Sequence, residues 1–161
     1  MNRMSVRETF VSGQHKLASR HWPRGEDHHL RAVARFCHSL KFPEGRPSGD
    51  PMEIALWRFG SEIPKLGERV GEIPFDAERR RMSVILSDPG GGRILCCKGA
   101  PESLLPLCSH WMMGTEERVL DETALGTFRR AQDDMADRGL REGLLYAQMN
   151  ADGILEDGPY L

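Results

Sequence analysis

The sequence predicts an α+β fold, an antiparallel sheet of about six strands flanked by helices, and three observations carry that expectation. Three apolar runs of strand length, Val70 to Phe75, Met82 to Leu86 and Arg93 to Cys97, follow one another closely. The last two are separated by Ser87-Asp88-Pro89-Gly90-Gly91-Gly92, whose turn-forming residues suggest a hairpin. Segments with apolar residues at helical spacing are interspersed with these runs, and hairpin-linked strands mixed with helices point to helices packed on an antiparallel sheet.

Taken in order, Met4 to Val11 alternates as a strand does, and the polar stretch Ser12 to Arg24, broken by Pro23, reads as a loop. Glu26 to Leu40 places Leu30, Val33, Ala34, Cys37 and Leu40 at helical spacing with acids at its start. A Pro- and Gly-marked loop follows from Phe42 to Ser48. Asp50 is suited to cap a second helix whose first residue is Pro51, because proline at that position loses no hydrogen bond. Beyond the three central strands, Pro101 to Cys108 reads as a short helix, Arg118 to Leu120 as a strand, and Asp121 to Arg138 as a longer helix capped by Asp121 or Thr123. Leu144 to Met149 reads as the final strand.

The chain of 161 residues is long enough for one domain with a real core. A net charge of −2 gives no argument for nucleic-acid or membrane-surface binding, so an anion site would have to be a local basic cluster. No apolar stretch reaches the length of a bilayer span, and MNRMSVRETF lacks the apolar segment of a signal peptide. The cysteines Cys37, Cys96, Cys97 and Cys108 show no CxxC spacing, and Cys96 and Cys97 point to opposite faces of a predicted strand; reduced thiols are expected.

Several chemistries find no support. There is no GxxxxGK[ST] loop, and Gly90-Gly91-Gly92 lies in a hairpin rather than before a helix. Adjacent His28 and His29 do not share a helix face, and Cys108 with His110 make only two metal ligands. No nucleophile is marked, and neither catalytic nor metal-binding residues are assigned.

The stretch CCKGAPES, residues 96 to 103, poses a sharper question. A buried strand ends in Lys98, then Gly99 leaves room for close approach, Pro101 opens a helix and Glu102 lies in its first turn. By itself this is an ordinary strand-to-helix junction whose lysine snorkels to water.

Together with GDPMEIAL at 49 to 56 and PFDAERRRMSVIL at 74 to 86, however, the stretch resembles the nucleotide-binding (N) domain of P-type cation-transporting ATPases. KGAPE is similar to the hallmark of the branches that move small hard cations, and differs from the histidine-based signature of the heavy-metal branch. NRMSV at 2 to 6 resembles the segment after the family's DKTGTLT phosphorylation motif, itself absent here, and ILEDGPYL resembles the stretch before the chain re-enters the phosphorylation domain. The resemblance implies that residues 1–161 are a single N domain excised from a larger membrane pump, a cytoplasmic domain of an integral membrane protein. As a fragment it is expected to be a monomer without direct membrane contact and without hydrolytic activity of its own. Its expected partners are ATP (Mg-ATP in the full pump) and the parent's phosphorylation and actuator domains.

By the same resemblance Phe75 stacks on adenine, Lys98 lies at the bottom of the adenine pocket, and Glu53 accepts from the adenine amino group. Arg80 meets the triphosphate or the adenine edge, Met82 forms pocket wall or core filler, Gly99 admits the nucleotide, and Arg141 contacts phosphates or ribose. Arg79 and Arg81 are expected to include outward-facing charges. Two departures stand out: Glu142-Gly143 replaces the usual apolar residue after Arg141, and Ala77 stands where some members carry a phosphate-contacting arginine. The rival readings are a degenerate N domain that serves as a structural or partner-binding module, and an independent α+β enzyme.

Overall fold

The computed structural model describes residues 4–18, 28–140 and 144–149. Its centre is a four-stranded antiparallel sheet in the order β3-β4-β5-β8, formed by β3 (Arg69–Asp76), β4 (Arg81–Ser87), β5 (Arg93–Gly99) and β8 (Leu144–Met149). The predicted α+β, antiparallel architecture is therefore present. The strands are shared among this sheet and two separate hairpins, β1 (Glu8–Val11) with β2 (Gln14–Leu17), and β6 (His110–Met113) with β7 (Glu116–Val119).

Both faces of the central strands are buried. On one face Met82, Val84 and Leu86 of β4 sit in register with Lys98, Cys96 and Ile94 of β5, and the apolar members pack against Val33 and Cys37. Those two residues come from α1 (His28–Phe36) and the residue after it. On the opposite face Ser83 and Ile85 pair with Cys97 and Leu95, all buried. This double burial explains why β4 and β5 read as near-continuous apolar runs and why Cys96 and Cys97, on opposite faces, are both inaccessible. Burial pushes the Cys96 thiol up to about 12 and raises those of Cys37 and Cys97, so these sulfurs remain protonated and unreactive.

Helix α2 (Pro51–Phe59) begins where expected: the Asp50 carboxylate accepts from the backbone N–H of Met52 and Glu53. Helix α4 (Glu122–Asp137) is capped by Asp121, which accepts from Ala124 N–H. Helix α1 ends earlier than the spacing predicts. The last bond of its ladder runs from Cys37 N–H to Val33, after which His38 Nδ1 takes the N–H of Leu40 at 3.1 Å and the chain turns away. The segment from Pro101 is helical only as α3 (Pro101–Leu104) and tightens into a 3-10 turn at Leu105–Leu107, where Pro106 has no N–H to continue the ladder.

Two strands depart from the sequence reading. Gln14–Leu17 lies inside the expected loop; Ser12 and Gly13 both take left-handed φ, 53° and 75°, the tight two-residue hairpin turn that folds QHKL back on ETFV. His110–Met113 pairs with Glu116–Val119. The two hairpins meet α4 through edge-on contacts of Phe10 and Trp111 with Phe128, and Gly114 N–H donates to Ser12 Oγ.

Candidate functional site

Most of the residues singled out by sequence gather at one end of the central sheet. Lys98 is the penultimate residue of β5, and Glu53 lies in the first turn of α2; their charges meet at 2.5 Å between Nζ and Oε1. Both side chains are recessed, at 12% and 13% exposure, so neither is a freely solvated surface charge. Glu53 is held from a second side by the backbone N–H of Ser39, 3.2 Å from each carboxylate oxygen. The Ser39 hydroxyl in turn donates to Glu72 at 3.0 Å, and Glu72 is paired with Arg69 at 2.6 Å. The early end of α1 thus has a local consequence: it frees the backbone of residue 39 to orient Glu53. Sequence reasoning missed Ser39, Glu72 and Arg69. The partial signal was EIPF, which puts a carboxylate three residues before Phe75 on an exposed strand.

His38 belongs to the same corner. Burial, with Arg69 and Lys98 nearby, holds its imidazole down to about 4, so it is neutral at physiological pH. Its ring stacks edge-on with Phe42, which leans on Trp57, and the Arg35 guanidinium lies 4.0 Å from the Trp57 ring centre.

Phe75 stands on β3, the sheet's edge, and is 63% exposed; it is not a core phenylalanine. The register shows how it gets there. Ile73 pairs with Ser83 and Asp76 pairs with Arg81, so Pro74 and Phe75 together oppose the single residue Met82. This two-against-one bulge brings Phe75 to the row Phe75–Met82–Lys98 across β3, β4 and β5. Pro74 is tolerated because the strand is an edge.

The turn after Phe75 is tight. The Asp76 carboxylate accepts from Glu78 and Arg79 N–H, which lowers its pKa, and Arg80 N–H reaches Asp76 O at 2.6 Å. Arg80 takes a left-handed φ of 53° and its guanidinium pairs with Glu102 at 2.6 Å. Arg79 lies back along the turn, Nη2 donating to Pro74 O at 3.0 Å. Of Arg79 and Arg81, expected to include outward-facing charges, Arg81 turns inward: it is buried, with Nη1 on Arg79 O at 3.3 Å, because its register position faces Gly99 on the covered side of the sheet.

Met82 is 1% exposed and packs in the core, its sulfur 4.0 Å from Ser39 Oγ; it underlies the row rather than opening onto solvent. Gly99 is required by the strand beside it. A Cβ there would fall 2.6 Å from both Arg80 O and Arg81 Cβ, so the missing side chain lets β5 end close under the Arg80 turn. Arg141 lies outside the described residues. A separate open cleft of about 790 Å³, lined by Met4, Val6, Arg31, Ala55 and Phe59 among others, contains none of the predicted site residues. Among the described residues no cluster of three metal-ligating side chains occurs, and no helix is long and apolar enough to cross a membrane.

An exposed aromatic ring, a recessed acid–base pair and an arginine-rich turn on one sheet end can accept a flat polar ring carrying an anionic tail. Comparison with known proteins leads to the same family as the motifs. Residues 28–153 match the family model described as P-type ATPase, cytoplasmic domain N. A calcium-transporting ATPase of Listeria monocytogenes is 30% identical over 128 residues, covering 74% of this chain and 14% of that protein. The potassium-transporting ATPase alpha chain 2 of Homo sapiens is 31% identical over 147 residues, covering 79% and 14%. A P-type magnesium-transporting ATPase of Escherichia coli is 39% identical over 74 residues, covering 46% and 8%. The chain spans about one seventh or less of the length of these relatives. With the motifs, the α+β architecture and the family match in agreement, the chain belongs to the P-type ATPase cytoplasmic domain N family.

Proposed function

We propose that this domain binds ATP and presents its γ-phosphate to the aspartate of a separate phosphorylation domain, within a membrane pump that transports a cation. The observation that carries the reading is the exposed ring of Phe75, set by a bulge into the same cross-strand row as the recessed Lys98, which is paired with Glu53.

Each group has a physical task. Phe75 offers a solvent-facing π surface, and stacking of a base on an aromatic is worth about 1–3 kcal/mol. Lys98 donates to a ring nitrogen or lies against the ring face. Glu53, a pure acceptor when ionised, suits the exocyclic amino group of adenine, and Ser39 N–H keeps it aimed while Lys98 changes partners. Arg80, on the turn beyond the ring, meets the phosphates. Met82 fixes the floor. Phosphoryl transfer depends mainly on positioning and charge neutralisation, so this domain contributes grip and delivery, and the acceptor aspartate and Mg²⁺ belong to the other domain. Hinge closure brings the two together, and tethering in one chain offsets weak intrinsic affinity.

The test is a titration of backbone amide shifts with ATP. The expected Kd is about 0.1–1 mM, or about −4 to −5.5 kcal/mol, with no turnover. Phe75→Ala should weaken binding about fivefold or more while leaving the thermal midpoint nearly unchanged, because the ring is exposed. Lys98→Ala should weaken binding and also destabilise the fold by about 1–3 kcal/mol, because Glu53 is left recessed without its cation. Spectra unmoved by millimolar ATP, sub-micromolar affinity, or hydrolysis by this chain alone would each overturn the reading.

A further inference from the structure

The cations of the site end carry partners within the protein. Lys98 is paired with Glu53, Arg69 with Glu72, and Arg80 with Glu102. The third pair differs from the others in how it is assembled. Ala100 N–H donates to Arg80 O at 3.2 Å, and Gly99 lets the end of β5 press against the Arg80 backbone. The first turn of α3 is thereby pinned to the β3–β4 turn by main-chain contacts, and Glu102 is carried to within 2.6 Å of the Arg80 guanidinium. The backbone strain at Arg80, whose φ is 53°, belongs to the same junction. Both side chains are about half exposed, so the ion pair itself is weak and exchangeable while the backbone that presents it is fixed.

We infer that Glu102 is a negative determinant of phosphate binding: its carboxylate occupies the arginine that a nucleotide's phosphate would take, and the nucleotide must displace it. The inference rests on the nucleotide reading above and deepens it. An anionic tail gains only the difference between its own bond to Arg80 and the one Glu102 already makes. Glu102 therefore sets how strongly the domain distinguishes a nucleoside triphosphate from the bare nucleoside, without touching the base.

The experiment is a paired amide-shift titration with ATP and with adenosine on wild type, Glu102→Gln, Arg80→Asn and the double variant. Asparagine is chosen because it tolerates left-handed φ. In Glu102→Gln the ATP affinity should rise about two- to fivefold, the range expected for releasing one exposed ion pair, and adenosine affinity should not change. In the Arg80→Asn background the same Glu102→Gln change should have no effect on ATP. ATP affinity unchanged or weakened in Glu102→Gln, or equal tightening of ATP and adenosine, or persistence of the gain without Arg80, would overturn the inference while leaving nucleotide binding intact. If wild type binds neither ligand, the nucleotide reading fails and this inference falls with it.

Discussion

The central sheet and the paired hairpins are held by different forces. Around β4 and β5 the contacts are aliphatic side chains and protonated thiols, with Val84, Leu95, Cys96 and Cys97 fully buried. The β1–β2 hairpin is fastened to α4 by rings and charges: Phe10 meets Phe128 edge-on, and Glu8 receives two hydrogen bonds from Arg138 at 2.7 and 2.9 Å and one from His15 at 2.6 Å. Aliphatic burial is nearly indifferent to salt and pH, whereas exposed ion pairs are sensitive to both. The candidate site is built on the first kind of structure, which lets its polar residues exchange partners on a platform that stays in place.

The contrast can be broken first in the platform. Leu86→Ala, at a position 2% exposed, should cost about 2–5 kcal/mol and lower the denaturation midpoint of the whole domain. Next, Phe128→Ala removes the ring shared by Phe10 and Trp111 and should cost about 1–3 kcal/mol. Its loss of amide-exchange protection should concentrate in Glu8–Leu17 and His110–Val119; an equal loss in β4 and β5 would mean the two regions are not energetically distinct.

Acid titration sharpens the comparison further. His38 is held at about 4 against its usual 6.5, so the unfolded chain takes up this proton first and stability falls as pH drops from 6.5 toward 4. His38→Asn, which keeps an acceptor for Leu40 N–H, should flatten that window. Glu8 is held at about 2 against 4.5, chiefly by the Arg138 hydrogen bond, so its contribution is present above 4.5 and is lost as pH falls toward 2. Glu8→Gln should flatten the lower window and leave the upper one untouched. Urea midpoints measured across both ranges would decide, and a slope that survives both substitutions would assign the acid sensitivity to other groups.

What the sequence made legible follows the same division. The strands β3, β4, β5 and β8 and the caps at Asp50 and Asp121 were readable because each rests on a local signal: an apolar run, a turn cluster or a carboxylate before a helix. QHKL carried no such run, and its pairing is dictated by the two left-handed residues before it rather than by its own composition. At the site, Glu53 and Lys98 could be named in advance, but not that they meet. That contact depends on α1 ending at Phe36, a tertiary outcome in which His38 and Ser39 abandon a helical pattern that the apolar spacing would have continued. The inward turn of Arg81 was not legible for a related reason: within a run of three arginines, only the strand register decides which one turns inward.

The bulge at Pro74-Phe75 makes the position of the aromatic a matter of counting. In a regular ladder each residue added or removed sends the next side chain to the other surface. A ladder that ran on regularly from Ile73 with Pro74 in place would pair Pro74 with Met82 and deliver the benzyl group opposite Arg81, on the side away from the lysine; the extra residue is what holds it in the lysine's row. A slip of register alone would silence this corner of the domain without altering any of the side chains that form it.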